Sequence, residues 1–348
     1  MVGGASGVVS LDRVIKGKFR FMLVITGGGG FIGSVLVWAL NEVGRSDVVI
    51  VDRFGSDAKW RNIAKREFFE IVTVDGLPGW LDRFGGEVEA VFHLGANAST
   101  TETDADHIID TNLNASIALW RWCATHRRKL VYASSAATYG DGTAGFDDAG
   151  GYAEYRRLHP LNLYGWSKHA FDLWAMREAA KGHAPPLWIG LKFFNVFGPN
   201  EYHKDFMMSL VAKNYAKIVA GEPVRLFKSH RPGIADGDQK RDFVYVKDCA
   251  DAILWLWRNA RDSGIYNIGS GTARSFRELM EATGAACGTP PRIDYVDTPP
   301  EIRSNYQYLT EAKLSRLRAA GYNAPFTPLE AAVGDFVTNY LAKPDPYL

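Results

Sequence analysis

Short apolar runs alternate with amphipathic stretches through the first half of the chain. Phe21-Met22-Leu23-Val24-Ile25 is continuous and apolar, ends in glycines, and is followed by an amphipathic segment from Phe31 to Glu42. Similar runs recur at Val48 to Val51, Ile71 to Val74, Ala90 to His93, Leu130 to Ala133 and Trp188 to Phe193. Helical candidates lie between them, at Asp106 to Thr125 and Ser167 to Lys181. Runs without polar alternation mark strands covered on both faces, and intervening helices mark crossovers. The pattern therefore predicts an α/β chain with a doubly wound parallel sheet.

After Asn195 the pattern changes. Residues 198–240 mix Pro, Gly and basic residues around a helical stretch, Met207 to Ala220. Val244 to Trp257 reads as a return to the main domain, closed by a strand at Ile265 to Ile268. From Ser270 onward short helical segments alternate with Pro-rich loops. The expected division is a Rossmann domain over 21–197 plus 241–269. A smaller, discontinuous α/β lobe over 198–240 plus 270–348 would bind substrate. Residues 1–20 are expected to be a disordered leader, the alternative being an arm that packs on a neighbouring subunit.

Composition narrows the class. Of 348 residues, 47% are hydrophobic and 23% charged, with a net charge of +1, ordinary for a globular enzyme. Such a balance gives no reason to expect nucleic acid or an anionic membrane as partner. Cys123, Cys249 and Cys287 are widely spaced with no CxxC pair, which argues against a disulfide or zinc framework. No metal site is expected. No apolar run approaches the roughly 18 residues that span a bilayer. In the leader the positive charges Arg13, Lys16, Lys18 and Arg20 come last, the reverse of a signal peptide. A cytoplasmic location is expected.

Gly27, Gly30 and Gly33 form GxxGxxG between the first strand and the first helix. Glycines there allow a tight turn and a close backbone approach to a pyrophosphate, which the helix N-terminus attracts. Strand–turn–helix context turns a weak glycine pattern into a dinucleotide-binding expectation. Asp52 follows the second strand, where an acid binds the adenosine ribose of NAD. Arg53 and Lys59 close by could instead accommodate the 2′-phosphate of NADP. The residues themselves leave both cofactors open.

Tyr164 and Lys168 are one helical turn apart, so both can face one cleft. A free tyrosine, with a pKa of about 10, is a poor base at neutral pH, and a neighbouring ammonium favours its anion. The pair follows a serine-rich strand end, Ser134-Ser135-Ala136-Ala137-Thr138, by about one crossover. Glycine loop, serine segment and Tyr-Lys pair, in that order, carry more weight than any one of them.

These features resemble the extended short-chain dehydrogenase/reductase family from about Met22 to the C-terminus. Phe92 to Ala96, Ser99-Thr100-Thr101-Glu102, Asn195-Val196-Phe197-Gly198-Pro199, His203-Lys204 and Lys240 to Val246 narrow the resemblance to its ADP-heptose 6-epimerases. The resemblance implies an isomerase of nucleotide-sugars that oxidises and re-reduces one carbon, in lipopolysaccharide core precursor synthesis. It implies Tyr164 and Lys204 as two acid–base groups, Ser135 at the substrate oxygen, and Lys168 at the nicotinamide ribose. Phe31, Ile32, Asp52, Arg53, Lys59, Leu94, Gly95, Ala96, Asn97, Ala98, Asn112 and Val196 would line the cofactor, with NADP preferred and NAD possible. Asn195, Phe227, Arg241 and Tyr306 would contact the ADP-heptose substrate. Family members are typically homo-oligomers, often pentamers.

The chain departs from the family pattern at Asn97 and Ala98, at Lys213, and in a long 228–240 loop carrying His230 and Arg231. The alternatives are another nucleotide-sugar 4-epimerase or dehydratase, and a non-catalytic dinucleotide sensor. Dehydratases place an Asp-Glu pair where Tyr139-Gly140 stand, and sensors tend to lose the Tyr-Lys pair. His93 reads as a hydrogen-bonded structural residue, and Asp147-Asp148 as a solvated turn. Trp120, Trp122, Trp255 and Trp257 read as core or interface anchors.

Overall fold

The computed structural model describes residues 21–303 and 306–348, so the leader expectation at 1–20 lies outside the described residues. The first six strands are β1 (Met22–Thr26), β2 (Val48–Val51), β3 (Glu70–Val72), β4 (Val88–His93), β5 (Lys129–Ser135) and β6 (Trp188–Phe193). Then come β7 (Asn195–Phe197), β8 (Val224–Phe227), β9 (Lys240–Tyr245), β10 (Gly264–Ile268), β11 (Ala273–Ser275) and β12 (Ile293–Val296). Seven of them form one parallel sheet in the order β10-β6-β5-β4-β1-β2-β3.

The eight longer helices are α1 (Phe31–Glu42), α2 (Leu77–Phe84), α3 (Ala115–Thr125), α4 (Leu163–Ala180), α5 (Leu210–Val219), α6 (Val246–Asn259), α7 (Phe276–Cys287) and α8 (Leu329–Phe336). Side chains alternate across each strand, so β1 sends Leu23 and Ile25 to one face and Met22 and Val24 to the other. The first face is covered by α1 and α6, through residues such as Leu36, Leu40, Ile253 and Leu256. The second is covered by α3 and α4, through Trp120, Cys123, Phe171 and Ala175. Because both faces are dry, β1 and β2 are buried at every position, which is why they read as unbroken apolar runs. Truncating a residue such as Ile25 to Ala would cost roughly 2–5 kcal/mol.

Several boundaries differ from the sequence expectation. The stretch from Asp106 to Thr125 is not one α-helix: a short helix, Ala105–Ile108, passes through a π-helical turn, Ile109–Asn114, before α3 begins. Helix α4 starts before Ser167, because Asn162 caps it by accepting the Gly165 N–H at 2.8 Å. The edge strand β3 stops at Val72 and leaves Val74 exposed. Strand β9 does not join the large sheet; it lies between β7 and β11, while β8 pairs with β12. Trp120 and Trp257 are buried, while Trp122 and Trp255 are half-buried. Among the described residues no helix is long and apolar enough to cross a membrane.

The solvated-turn reading of Asp147-Asp148 holds only for its first residue. Asp147 pairs with Lys313 near the surface, but Asp148 is fully buried and accepts the Asn267 N–H at 2.6 Å. Burial lifts its carboxyl to about 6. A tight loop pinned to β10 carries it inward, something a Gly-rich sequence does not reveal.

Candidate active site

Strand order reverses between β1 and β4, and the crevice at such a switch point is where α/β sheets bind ligands. The glycine loop sits there. Gly27 has φ +70°, and a Cβ on it would come within 2.6 Å of the Gly95 nitrogen; one on Gly33 would come within 2.1 Å of the Gly27 oxygen. Only glycine permits this turn and this contact between the loop and the end of β4. Helix α1 follows with Gly30 at its N-cap and no capping side chain, so its first N–H groups are free to meet an anion.

Asp52 closes the adjacent corner. Its carboxylate accepts from the Gly29 N–H at 2.8 Å, the Arg53 N–H at 2.7 Å and the Lys59 ammonium at 2.6 Å. The Arg53 guanidinium reaches outward to Asp75 at 2.7 Å, an exposed pair worth little in energy. Two cations therefore border the acid, one bound to it and one held only loosely.

Asn112, buried in the π-helical turn, organises the next wall. Its side chain accepts the Asn97 N–H and donates to the Asn97 carbonyl, both at 2.9 Å, and donates to Ser167 on α4 at 3.1 Å. Leu94, Ile32 and Val196 pack half-buried beside this wall, while Ala96 and Ala98 are exposed. His93 sits beneath, between Thr26 at 2.7 Å and Ser116 at 2.9 Å, and burial pushes its imidazole down to about 3. It is a neutral structural residue at working pH.

Ser135 ends β5 and Tyr164 lies in the first turn of α4, and both line the same cavity. Burial pushes the Tyr164 phenol up, against the downward pull expected from Lys168, and the nearby Ser135 hydroxyl partly offsets that rise. Lys168 is 3% exposed and has no hydrogen-bond partner among the described residues. Burial lowers it to about 8, with Asp172 acting in the opposite sense. A buried ammonium without an acceptor is costly and suits a site completed by ligand hydroxyls.

Ser135 and Tyr164 open into a cavity of about 710 Å³ that Asn195, Phe227, Arg241 and Tyr306 also line. Arg241 lies 5.3 Å from the Tyr306 ring and 5.4 Å from that of Phe276, and Phe227 meets Tyr306 edge-on at 6.0 Å. Burial lowers the Arg241 pKa, with Tyr306 opposing it. The result is a fixed guanidinium beside aromatic faces, suited to a diphosphate carrying a ring. Thr100, Thr101 and Arg225 line the same cavity.

Lys204 is placed differently. Its ammonium lies 4.9 Å from the centre of the Phe31 ring, on the glycine-loop side, and does not line that cavity. Burial lowers its pKa, Glu201 raises it, and Lys213 lowers it further. The next residue, Asp205, has φ +46°, a strained value for a side-chain-bearing residue. Lys213 donates to the Phe206 carbonyl and braces the same segment.

Residues 23–269 match the model of the NAD-dependent epimerase/dehydratase family. An ADP-L-glycero-D-manno-heptose-6-epimerase from Fusobacterium nucleatum is 46% identical, over 94% of this chain and all of its own. The chain belongs to this epimerase family. The relative of the same name from Nitratidesulfovibrio vulgaris is 45% identical, again over 94% of this chain and all of its own. The crystal structure of the Helicobacter pylori ADP-L-glycero-D-manno-heptose-6-epimerase superposes with a TM-score of 0.77 at 27% identity, covering 93% of this chain and 97% of that one. A Thermus thermophilus UDP-glucose 4-epimerase in complex with NAD gives 0.71 at 27% identity, over 91% and 98%. A nicotinamide dinucleotide cofactor is thus common to the family, and the substrates named for these relatives differ.

Sequence reasoning missed Asp172, Lys192, Asn62 and Asn200. Asp172 and Lys192 are fully buried and joined at 2.6 Å. Asn62 donates to the Gly29 carbonyl at 2.9 Å and meets His203 at 3.1 Å; Asn200 donates to Ser34 at 3.0 Å. A charge inside the apolar run of β6 was the available signal for Lys192.

Proposed function

We propose that the chain converts ADP-D-glycero-D-manno-heptose to ADP-L-glycero-D-manno-heptose, inverting C6 by transient oxidation and re-reduction, a step in lipopolysaccharide core precursor synthesis in the cytoplasm. The observation that carries this reading is the single cavity joining the Ser135–Tyr164 pair to Arg241, Tyr306, Phe227 and Asn195. In this reading residues 21–197 plus 241–269 hold the cofactor and also bring Ser135, Tyr164, Asn195 and Arg241 to the cavity, and 198–240 plus 270–348 supply the rest of the substrate site. The close relatives bearing this enzyme's name favour it over a 4-epimerase or dehydratase.

The uncapped start of α1, the Gly27–Gly95 contact and the unpartnered Lys168 fit a dinucleotide. When bound, it supplies a reversible hydride acceptor. Phe31, Ile32, Leu94 to Ala98, Asn112 and Val196 would line it, and Lys168 would hold its nicotinamide ribose. Arg53 and Lys59 beside Asp52 favour NADP over NAD; mass spectrometry of nucleotide released on denaturation distinguishes the two.

Tyr164 would exchange a proton with the C6 oxygen while Ser135 donates a hydrogen bond to it. Before and after inversion that oxygen lies on different sides, which gives a second acid–base group a distinct role. Lys204 would serve the second side, leaving Phe31 to do so. Arg241 would grip the diphosphate. Incubation with ADP-D-glycero-D-manno-heptose should yield the C6 epimer by NMR without net cofactor turnover. C4 epimerisation of a UDP-hexose, with ADP-heptose untouched, would overturn the assignment. We also expect a homo-oligomer, pentameric by family resemblance, which light scattering would measure.

A further inference from the structure

Asp172 and Lys192 form a buried ion pair with no exposed surface on either side chain. Taking two charges out of water is expensive, and apolar residues of similar size commonly do the same structural work as well or better. Their surroundings point to a role beyond packing.

Asp172 lies two turns along α4 from Tyr164 and one turn from Lys168, so the three share a helix face. Its carboxylate accepts Tyr132 at 3.0 Å, Ser134 at 2.7 Å and Lys192 at 2.6 Å. Tyr132 and Ser134 are on β5, immediately before Ser135, and Lys192 is on β6. Lys192 also donates to Thr138 at 2.5 Å, and Thr138 donates to the Ser135 carbonyl at 2.7 Å. One carboxylate thus ties the helix carrying Tyr164 and Lys168 to the strand end carrying Ser135, from two sides.

We propose that the Asp172–Lys192 pair is a positioning and charge-balancing device for the Tyr164–Lys168–Ser135 group. Neither residue touches the cavity, so they act through the others. The proposal rests on the acid–base role of Tyr164 given above. The Asp172 charge disfavours the Tyr164 anion and favours the Lys168 cation. Lys192 cancels most of that field while it remains protonated. Other titratable groups face the pair: Tyr132 from β5, Tyr139 and Tyr155 from the segments after it, His169 from α4, and Asp148 from its buried loop. Burial pushes the three tyrosines up and His169 down to about 4, so all four are neutral near pH 7. Asp148 adds a second negative charge on the Lys192 side.

The test is the pH dependence of kcat/KM in the holoenzyme, with three variants. Asp172→Asn leaves Lys192 uncompensated and should move the acid limb to lower pH by about one unit, the effect of one charge at roughly 12 Å. Lys192→Met leaves Asp172 uncompensated and should move it to higher pH by a similar amount. The neutral double variant, which avoids an unpaired buried charge, should return the midpoint towards wild type. Its kcat should fall about tenfold with KM nearly unchanged, because the ties to Ser135 are gone. Shifts of one sign in both single variants, no shift in either, or a double variant with wild-type kcat would each overturn the proposal. Tyr164→Phe serves as reference: if it retains full activity the acid–base reading fails, whereas a dead Tyr164→Phe beside unaltered pair variants sinks only this proposal.

Discussion

The Lys204 ammonium rests 4.9 Å from the Phe31 ring centre, beside the glycine loop, while Tyr164 opens into the cavity lined by Arg241 and Tyr306. Two basic groups on separate sides would suit the two faces from which the oxygen is served in the proposed inversion. Tyr164→Phe and Lys204→Met are each expected to lower kcat by roughly 10²-fold or more, the usual loss for an acid–base group. KM should change much less, since neither is assigned to the ADP portion. Steady-state kinetics of both variants check this. A fully active Lys204→Met beside a dead Tyr164→Phe would leave a single-tyrosine mechanism.

Lys168 gives a pH signature. Burial lowers its pKa to about 8, so in ligand-free protein the ammonium is lost as pH rises through that value. The charged form is the one assigned to the ribose and to tuning Tyr164. Dinucleotide affinity, measured by titration calorimetry, should therefore weaken between about pH 7 and pH 9, and Lys168→Met should abolish the dependence.

Arg241 separates binding from chemistry. Arg241→Met keeps the packing against Tyr306 and Phe276 but removes the guanidinium. Losing a charge-assisted contact of about 1.5–3 kcal/mol should raise KM by roughly 10- to 100-fold. An unchanged KM with collapsed kcat would show that Arg241 acts in the reaction itself.

Asp148 is a stability prediction. Its folded pKa of about 6 lies above the unfolded value, so the native state binds the extra proton between about pH 4 and pH 6 and loses stability as pH rises through that window. Asp148→Asn keeps an acceptor for the Asn267 N–H and removes the buried charge. It should raise the melting temperature by a few degrees at pH 7 and lose that advantage near pH 4, as calorimetry at both pH values would register.

The main sheet was legible because each strand is covered on both faces and so forms an unbroken apolar run. Helix α1 matched its expected bounds, Phe31 to Glu42, because the glycine loop and the helical period both mark it. The π-helical turn at Asn112 was not legible, since one extra residue in a turn leaves no compositional trace. Strand β9 was not read from the sequence: Phe243-Val244-Tyr245 is as apolar as a core strand, and only tertiary pairing places it between β7 and β11. At the site, Ser135, Tyr164, Asn195, Phe227, Arg241 and Tyr306 line one cavity. Lys204 lies apart from them, and the motif could not show on which side of Phe31 it would rest.

The most direct test of the central claim runs the epimerisation of ADP-D-glycero-D-manno-heptose in heavy water and examines C6 of the product. Transient oxidation and re-reduction return the original hydrogen, so the inverted product should carry protium there, with no deuterium detected by NMR or mass spectrometry. Stoichiometric deuterium at C6 would mean that Tyr164 or Lys204 removes a proton from carbon and solvent replaces it, which would contradict the account.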